Sequence, residues 1–408
     1  MLAGGGLGTV EADVVDENDD LERTLAYFRE VNATSERQPD YDFISYLLPE
    51  TGHAIDYLAN TFGLEHTSSD RGDYVRTNFG SGADLANNLA RICEEQGVTL
   101  LLNTKAEHIL MENGKAVGVS VSNADGEYAI HANKVIMATG GASHDWERMV
   151  AANPELNTVD FYEETAVSST GDGFAMMEEA GAQMDVGPFI KSAYPDISPV
   201  FGYTFRNSPT QQNELVVNAN GERVANESPY NQMYFNKQML RQASSAYYAI
   251  FDESKMPDYF LADAEKWATQ ENNAIVVKAD TLEDLAVKMD VDAATLRTTF
   301  DRYQSFCETG VDEEFGKDAS HLIAYTDGPL YAVRVYPASW ETIGGSVSDY
   351  TFHVLDAENN VIENLFAVGE CSTAKLFGDY YFGGFSLGFY TAAGHIAAET
   401  AVAELNAN

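Results

Sequence analysis

Cysteine is scarce in this sequence, which limits the metal and disulfide chemistry that it can encode. The 408 residues include three cysteines, Cys93, Cys307 and Cys371, and none of them stands in a CxxC or Cys/His spacing. Three cysteines cannot build a disulfide framework, and the missing spacings exclude zinc, iron–sulfur and heme-attachment motifs. We therefore expect no metal site.

Membrane and export signals are missing as well. No stretch approaches the roughly 18 consecutive apolar residues of a membrane span. Met1–Val10 has neither the basic region nor the apolar region of a secretory signal. The sequence as written would be cytoplasmic, but its location stays unknown, because export remains open if the natural chain starts upstream of Met1.

Positive charge is also in short supply. The chain has 24 Lys and Arg against 64 Asp and Glu, which gives a formal net charge of −40. A field of this sign repels phosphate backbones and anionic lipid headgroups, so we expect neither a nucleic-acid nor a membrane-surface partner. Solubility alone explains the excess of acids. The remaining expectation is a globular protein of two or three domains, at about 150 residues each.

Strand and helix patterns are regular in the first third of the chain. Leu85, Leu89 and Ile92 lie on one face of a predicted helix, and the apolar run Val98–Leu102 predicts a buried strand. Asn113-Gly114 predicts a type I′ hairpin between two further strands.

The middle of the sequence, from about Asp185 to Leu330, has a different character, with proline-punctuated loops and helices. Asp292 is a predicted N-cap for a helix over Ala293–Cys307. Strands return from Ala332, and a long helix is predicted over Phe385–Leu405. This order predicts an α/β domain that is split by a second domain.

Four glycine-containing turns stand at strand ends or helix starts. They are Ala138-Thr139-Gly140-Gly141, Thr170–Gly173, Val368–Glu370 and the segment Asp379–Gly388. A strand that runs into glycines at the carboxyl edge of an α/β sheet allows the backbone to approach a ligand closely. An ordinary turn would explain any one of them, but it explains all four together less well.

Taken in order, these segments resemble the family of fumarate reductase flavoproteins, succinate dehydrogenase flavoproteins and 3-ketosteroid dehydrogenases. The motifs Asn226-Glu227, after Gly221–Arg223, and Thr342–Gly345 also fall where that family has them. The resemblance implies an α/β fold with a partial Rossmann-like FAD-binding domain, residues 1–185 and 331–408. It also implies an inserted α+β substrate-capping domain, residues 186–330.

The resemblance further implies a non-covalent FAD, because the family attaches covalent flavin through a histidine that is missing near Gly4–Gly8. The ATGG turn and Ala106 would line the adenosine, Glu370 would lie by the ribityl or ribose, and Ser386-Leu387 would meet the flavin pyrimidine. The residues expected to bind the cofactor are Gly4, Gly5, Gly6, Ala106, Ala138, Thr139, Gly140, Gly141, Asp172, Glu370, Ser386 and Leu387.

The dicarboxylate-reducing branch of the family needs cationic residues at three positions, and this sequence has none of them. Asn231, Glu341 and Tyr381 stand where that branch has its proton-donor arginine, a histidine and a second arginine. A carboxylate beside a dianionic substrate would be repulsive. We therefore expect Glu341 and Tyr381 to line a different substrate, although a small unsaturated carboxylate stays an alternative.

The ketosteroid-dehydrogenase branch matches better. Asn226–Tyr230 resembles its NExPY element, in which the tyrosine transfers a proton, and Tyr380 with Gly384 resembles the pair that polarises the substrate carbonyl. A phenol O–H and a backbone N–H can stabilise developing enolate charge, and a second phenol can move the proton. Phe382 departs from this branch, which usually has proline there. Packing alone would also account for two of 22 tyrosines.

The resemblance thus predicts a flavin-dependent oxidoreductase that acts on a small-molecule substrate, at a C=C or CH–CH bond conjugated to a carbonyl, with an unknown electron donor or acceptor. The family places a strand, a GxGxxG turn and a helix ahead of the glycines that begin at Gly4. Two interpretations stay open. The chain is a piece of a longer flavoprotein, or it is a flavin-free remnant with a binding or scaffold role.

Overall fold

The chain divides into two compact units. A computed structural model describes residues 5–33, 35, 37–157, 162–163, 165–186, 190–193, 213–227, 232–242, 244–256, 258–270, 275–326, 328–339, 341–378, 382 and 384–407. The first unit is Met1–Arg148, Thr165–Phe189 and Glu341–Asn408, and the second is Met149–Glu164 and Ile190–Trp340. The limits given in the sequence analysis stay a prediction about which residues serve the cofactor and which the substrate.

The described residues form strands and helices in alternation along the chain. The strands are β1 Gly6–Thr9, β2 Thr67–Asp70, β3 Val75–Asn78, β4 Lys105–Glu112, β5 Lys115–Asn123, β6 Gly126–His131, β7 Val135–Met137, β8 Tyr162–Glu163, β9 Met184–Val186, β10 Ile190–Ala193, β11 Leu215–Asn218, β12 Tyr247–Asp252, β13 Val276–Ala279, β14 Leu330–Ser339, β15 Gly344–Ser346, β16 His353–Leu355 and β17 Val361–Ala367. The helices are α1 Leu21–Val31, α2 Tyr41–Phe62, α3 Gly82–Glu95, α4 Trp146–Ala152, α5 Asp172–Glu179, α6 Gln232–Gln242, α7 Asp258–Ala268, α8 Leu282–Met289, α9 Ala293–Thr309 and α10 Phe385–Ala407. None of these helices has the length and apolar character that a bilayer crossing requires.

The main sheet of the first unit joins strands from both ends of the chain. Its order is β16–β17–β5–β4, with β6 paired to β5 and β7 paired to β17. Strands β7 and β17 are parallel, with Leu365 opposite Val135 and Ala367 opposite Met137. Strands β4, β5 and β6 are antiparallel neighbours. The predicted α/β class is therefore confirmed.

Local signals in the sequence account for several of these boundaries. Asn113 and Gly114 both have positive φ, 52° and 78°, as the type I′ hairpin between β4 and β5 requires. The Asp292 carboxylate accepts a hydrogen bond from Thr295 N at 2.8 Å and caps α9. Both predictions are confirmed, because hairpin and capping signals act over three or four residues.

The second unit is a mostly antiparallel sheet with helices on both faces, in which β8 runs parallel to its neighbour β14. Strands β10, β14, β12 and β11 lie side by side, and β13 and β8 also pair with β14. Alternate residues of β12 enter opposite cores: Tyr247, Ala249 and Phe251 pack with α6 and α7. Tyr248 and Ile250 pack with α8 and α9. This is the period-two pattern of a sheet that is buried on both faces.

The prediction of a buried strand over Val98–Leu102 is wrong. These residues form no strand, and most of their apolar side chains are exposed, with Leu102 at 80%. An apolar run becomes a buried strand only where a neighbouring strand and a covering layer exist. Within the described residues β7 pairs only with β17, and Ile136 of β7 is itself partly exposed.

Candidate functional site

The carboxyl ends of β7 and β17 lie next to each other in the first unit. The strands are parallel, and Val368 N donates to Met137 O at 2.9 Å just beyond their last pair. The Ala138–Gly141 turn follows one strand and Gly369-Glu370 follows the other. The carboxyl edge of parallel strands is where α/β sheets bind ligands.

Three of the predicted glycine turns pack against each other at this edge. A Cβ on Gly141 would overlap Glu370 Oε1 and Thr342 Oγ1, and a Cβ on Gly173 would overlap Thr139 Oγ1. Gly171 N donates to Gly141 O at 3.2 Å. Only glycine therefore permits this approach. We call residues 139–141, 171–173, 342 and 370 the glycine-turn cluster.

Thr342 connects the members of this cluster, and sequence reasoning had not assigned it to the site. Its Oγ1 accepts from Ala142 N at 2.7 Å, and its own N–H donates to Glu370 Oε1 at 2.8 Å. Burial raises the pKa of the Glu370 carboxyl, and the hydrogen bonds from Thr342 partly offset that effect. The sequence signal that could have identified Thr342 was the Thr342–Gly345 motif, which was interpreted only as evidence for the family.

A second set of close backbone contacts surrounds β1. A Cβ on Gly5 would lie 2.5 Å from Gly82 N, at the start of α3. Gly8 N donates to Gly384 O at 2.5 Å, and a Cβ on Gly8 would overlap the Phe385 ring. The amino-terminal end of α10 thus lies directly on β1.

Ser386 is the best evidence that this helix end binds a ligand. Its side chain is 4% exposed, and its Oγ has no hydrogen-bond partner among the described residues. A buried hydroxyl without a partner costs about 1–3 kcal/mol, so such a group in a native structure calls for an explanation. A cofactor oxygen or nitrogen at the α10 N-terminus would satisfy the hydroxyl, so the residues here fit FAD.

The N-terminus of α3 is different, because its own residues already fill it. Ser81 and Asp84 form a reciprocal capping box, with Asp84 N donating to Ser81 Oγ and Ser81 N to the Asp84 carboxylate. Hydrogen bonds from the Ser81 hydroxyl and the Ser81 N–H to the Asp84 carboxylate lower the pKa of Asp84. Gly80–Gly82 is therefore a plain helix start.

Two predicted cofactor residues lie near each other at the edge of the cluster. Ala106 follows Lys105 in β4, and Lys105 Nζ lies 3.7 Å from Asp172 Oδ2 at the start of α5. Asp172 faces solvent, whereas its neighbour Gly173 is buried. The structure therefore places β4, which contains Ala106, beside α5, which begins at Asp172, and the contact of both residues with adenosine stays a prediction.

The substrate-side predictions are tested only in part. Gly4, Tyr230, Tyr380 and Tyr381 lie outside the described residues. Glu341 is buried, and the Tyr390 hydroxyl of α10 donates to its Oε1. Leu387 packs beside the core formed by β1, α2 and α3.

Phe382 anchors the segment that leads into α10. Its ring is fully buried and stacks on Phe28, with ring centroids 3.7 Å apart and an interplanar angle of 25°. Phe377 and Tyr27 are further aromatic neighbours. The departure from proline at this position is therefore compensated by aromatic packing.

Comparison with known proteins decides the family. The model of the FAD binding domain family matches residues 6–387. The chain belongs to this family. The prediction of FAD as cofactor is thereby confirmed, and non-covalent attachment stays a prediction.

Two relatives illustrate the range of the family. The chain is 25% identical to a probable fumarate reductase of Shewanella frigidimarina over 410 residues, covering 98% of this chain and 68% of the relative. It is 28% identical to the 3-oxosteroid 1-dehydrogenase of Mycolicibacterium smegmatis over 346 residues, covering 74% and 59%. These relatives are FAD-dependent oxidoreductases acting on carbon–carbon bonds, which confirms the predicted class of enzyme.

A solved structure supports the fold. The 3-ketosteroid delta1-dehydrogenase of Sterolibacterium denitrificans, in complex with 1,4-androstadiene-3,17-dione, superposes with a TM-score of 0.76 at 19% identity. The superposition covers 98% of this chain and 92% of that one. At this identity the likeness shows the fold alone.

Proposed function

We propose that this chain is an FAD-dependent oxidoreductase that reduces or forms a C=C bond conjugated to a carbonyl, in the manner of a 3-ketosteroid dehydrogenase or an enone reductase. The observation that carries the proposal is the buried Ser386 hydroxyl at the start of α10, which has no hydrogen-bond partner within the described part of the chain. It lies beside Gly384, whose carbonyl is bound by Gly8 N.

The residues of the first unit have distinct roles in this proposal. The glycine-turn cluster and Ala106 hold the adenosine and ribose of FAD, and Ser386 with the α10 N-terminus faces the flavin pyrimidine. The positive end of a helix dipole favours the negative charge that a reduced flavin carries there. When bound, FAD supplies a hydride acceptor or donor at N5.

The protein's own groups manage the charge and the proton. The Tyr380 hydroxyl and Gly384 N–H stabilise charge on the substrate carbonyl oxygen as hydride moves to or from the β-carbon. The Tyr230 hydroxyl exchanges the proton at the adjacent carbon. A free tyrosine has a pKa of about 10, so a phenol in this role serves more readily as an acid than as a base at neutral pH.

A second candidate is reduction of a small unsaturated carboxylate, and the similarity to a probable fumarate reductase favours it. The buried carboxyl of Glu341 argues against a dianion, because a second carboxylate nearby would repel it. A third candidate is a flavin-free protein with a binding or scaffold role.

One assay separates the three candidates. The purified chain is incubated with FAD and desalted, and its visible spectrum is recorded. Reduction of 1,4-androstadiene-3,17-dione and of fumarate is then followed with a reduced viologen dye. Bound flavin with enone reduction supports the proposal, fumarate reduction supports the second candidate, and a colourless protein supports the third.

Variants test the two tyrosines. Tyr230→Phe and Tyr380→Phe are each expected to lower kcat for the enone by about 10²–10⁴-fold, as removal of a proton-transferring or charge-stabilising group does, with flavin content unchanged. Tyr128→Phe, on exposed β6, is the control. Unchanged turnover in both site variants would remove their assigned roles.

A further inference from the structure

Four ionised side chains are completely buried together in the second unit. Arg223, Glu227, Asp312 and Lys317 each have a side-chain exposure of 0%. Arg223 Nη2 lies 2.7 Å from Glu227 Oε2, and Arg223 Nη1 lies 2.9 Å from Asp312 Oδ1. Lys317 Nζ lies 3.4 Å from Glu227 Oε2. We call these four residues the buried charge cluster.

The buried charge cluster is electrically balanced, with two cations and two anions. Burial alone would raise the pKa of Glu227, but Lys317 and Arg223 hold it below its usual value. The Arg223 guanidinium also lies 5.0 Å from the Tyr303 ring centroid and 5.1 Å from that of Phe315. Burial lowers the pKa of the Lys317 ammonium, and the charge of Glu227 opposes that effect.

Stability alone is a poor explanation for such a cluster. Replacing a buried ion pair by well-packed apolar residues is often neutral or stabilising, because desolvation offsets the Coulomb attraction. What a bidentate pair supplies is a fixed orientation. Arg223 forms such a pair, with Nε donating to Glu227 Oε1 at 3.0 Å beside the Nη2 contact.

The cluster holds the Asn226-Glu227 dipeptide from two sides. Glu227 Oε1 also accepts from Val216 N of β11 at 3.2 Å. Asn226 Nδ2 donates to Phe315 O at 3.2 Å and to Gly316 O at 2.9 Å. The dipeptide is therefore fixed both to the sheet and to the loop over residues 312–317.

That loop is itself organised by a member of the cluster. The Asp312 carboxylate accepts hydrogen bonds from Glu314 N at 3.0 Å and Phe315 N at 3.2 Å through Oδ1. Its Oδ2 accepts from Lys317 N at 2.8 Å. Lys317 Nζ in turn donates to Glu214 O at 2.7 Å, next to the start of β11. The same charges thus shape the loop and bind it to the sheet.

We propose that the buried charge cluster is a positioning device for the segment that follows Glu227, and through it for the Tyr230 hydroxyl. The proposal rests on the proposed function, in which Tyr230 transfers a proton. Tyr230 stands three residues after Glu227 in the sequence. A misplacement of about 1 Å at a reacting group can cost about 10²-fold in rate.

The first test compares two buried ion pairs of the same unit. Glu227→Gln keeps the shape of the side chain and removes the charge that orients Arg223. Lys255→Met is the matched control, because Lys255 is also fully buried, with its Nζ 3.5 Å from Asp252 Oδ1, and it does not contact Asn226 or Glu227. Both variants lower the unfolding midpoint. Only Glu227→Gln is expected to lower kcat for the enone, by about tenfold or more, with KM within about threefold.

A second readout needs no turnover. Glu227→Gln is expected to speed hydrogen–deuterium exchange in the peptide over residues 222–232 by about tenfold, because its anchor is loosened. Lys255→Met leaves exchange in that peptide unchanged. Arg223→Lys keeps the charge but loses the bidentate fork, so it gives an intermediate effect on both exchange and kcat. Asn226→Ala removes the hydrogen bonds from Asn226 to the loop over residues 312–317 without a change of charge. It replaces Glu227→Gln in these tests if that variant does not fold.

A double variant separates failure of this proposal from failure of the proposed function. If Glu227 acts through Tyr230, then Glu227→Gln added to Tyr230→Phe lowers kcat no further. Independent, multiplicative losses overturn the positioning role and leave Tyr230 in place. A loss of kcat in Tyr230→Phe but not in Glu227→Gln also overturns the positioning role and leaves the role of Tyr230 in place. No loss with Tyr230→Phe overturns the proposed function itself.

Discussion

The two units hold their functional segments in place by opposite means. In the first unit the three turns of the glycine-turn cluster pack so closely that the side-chain oxygens of neighbouring residues leave no room for a Cβ on Gly141 or Gly173. In the second unit the buried charge cluster joins Asn226-Glu227 to a sheet and a loop through four ionised side chains. The close packing of the glycine-turn cluster depends on glycines, which have no side chain. The buried charge cluster depends instead on interactions between charged side chains.

This difference shows in how each region tolerates change. The glycine-turn cluster is sensitive to any added atom, because neighbouring oxygens occupy the space. The buried charge cluster is sensitive to the loss of one partner, because an uncompensated buried charge remains. Variants that add a methyl group and variants that remove a charge therefore probe the two regions separately.

The largest effect is expected from breaking the buried charge cluster. Arg223→Met leaves Glu227 and Asp312 without their shared cation and is expected to lower the free energy of unfolding by about 3–5 kcal/mol. Arg297→Met is the control in the same unit, because Arg297 lies 2.8 Å from Glu283 with both side chains about half exposed. For Arg297→Met the expected loss of unfolding free energy is about 0–1 kcal/mol. Urea unfolding measures both, and equal losses would contradict the assigned difference.

A smaller but clear effect is expected from adding one methyl group to the glycine-turn cluster. Gly173→Ala in α5 forces a Cβ onto Thr139 Oγ1 and is expected to cost about 1–3 kcal/mol and to reduce bound flavin. Gly394→Ala in α10 is the matched control, because no atom lies within 4 Å of its Cβ. That variant gains up to about 1 kcal/mol from helix propensity. Thermal unfolding and flavin absorbance distinguish the two, and a tolerated Gly173→Ala would show that the turns need not approach so closely.

The sequence analysis succeeded where a signal is local. Asn113-Gly114 and Asp292 specify a hairpin and a helix start within a few residues, and both are confirmed. The apolar run Val98–Leu102 predicted a strand but carried no information about a partner strand, and the run lies exposed. Burial of a strand is a property of its neighbours, which a single segment does not encode.

The candidate site shows the same limit. The glycine turns were found because each is a short motif, and the structure brings 139–141, 171–173 and 370 together. Thr342, which links them, and the pairing of Arg223 with Asp312 were missed. Arg223 and Asp312 are 89 residues apart in the chain, so only the fold makes them partners.

A pH-dependent comparison tests whether Glu370 is placed for function rather than for stability. Because burial raises its pKa in the folded state, the folded protein holds the proton more tightly than the unfolded chain does. Its contribution to stability therefore falls as pH rises through the window from the unfolded pKa to the raised folded pKa. Glu370→Gln is expected to remove this decline, to raise the stability of the flavin-free protein at pH 7 and to weaken FAD binding. If the Glu370→Gln variant bound FAD as tightly as the unmodified protein does, Glu370 would have no role in binding the ribose.

The smallest effect is expected from an ionic contact of the first unit that lies outside the glycine-turn cluster. Its loss tests whether charged side chains contribute less to stability in the first unit than in the second. His353 Nε2 lies 2.8 Å from Glu404 Oε1 of α10, and Nδ1 lies 3.3 Å from Asp349 Oδ2. These acids raise the pKa of His353 in the folded state, while the pKa of Asp349 falls to about 2. The stabilisation is complete below the unfolded pKa of about 6.5 and is lost as pH rises through the higher folded value. We expect His353→Gln to flatten the fall in unfolding free energy across that window. A slope as steep in His353→Gln as in the unmodified protein would mean that this part of the first unit depends on charge no more than its glycine turns do.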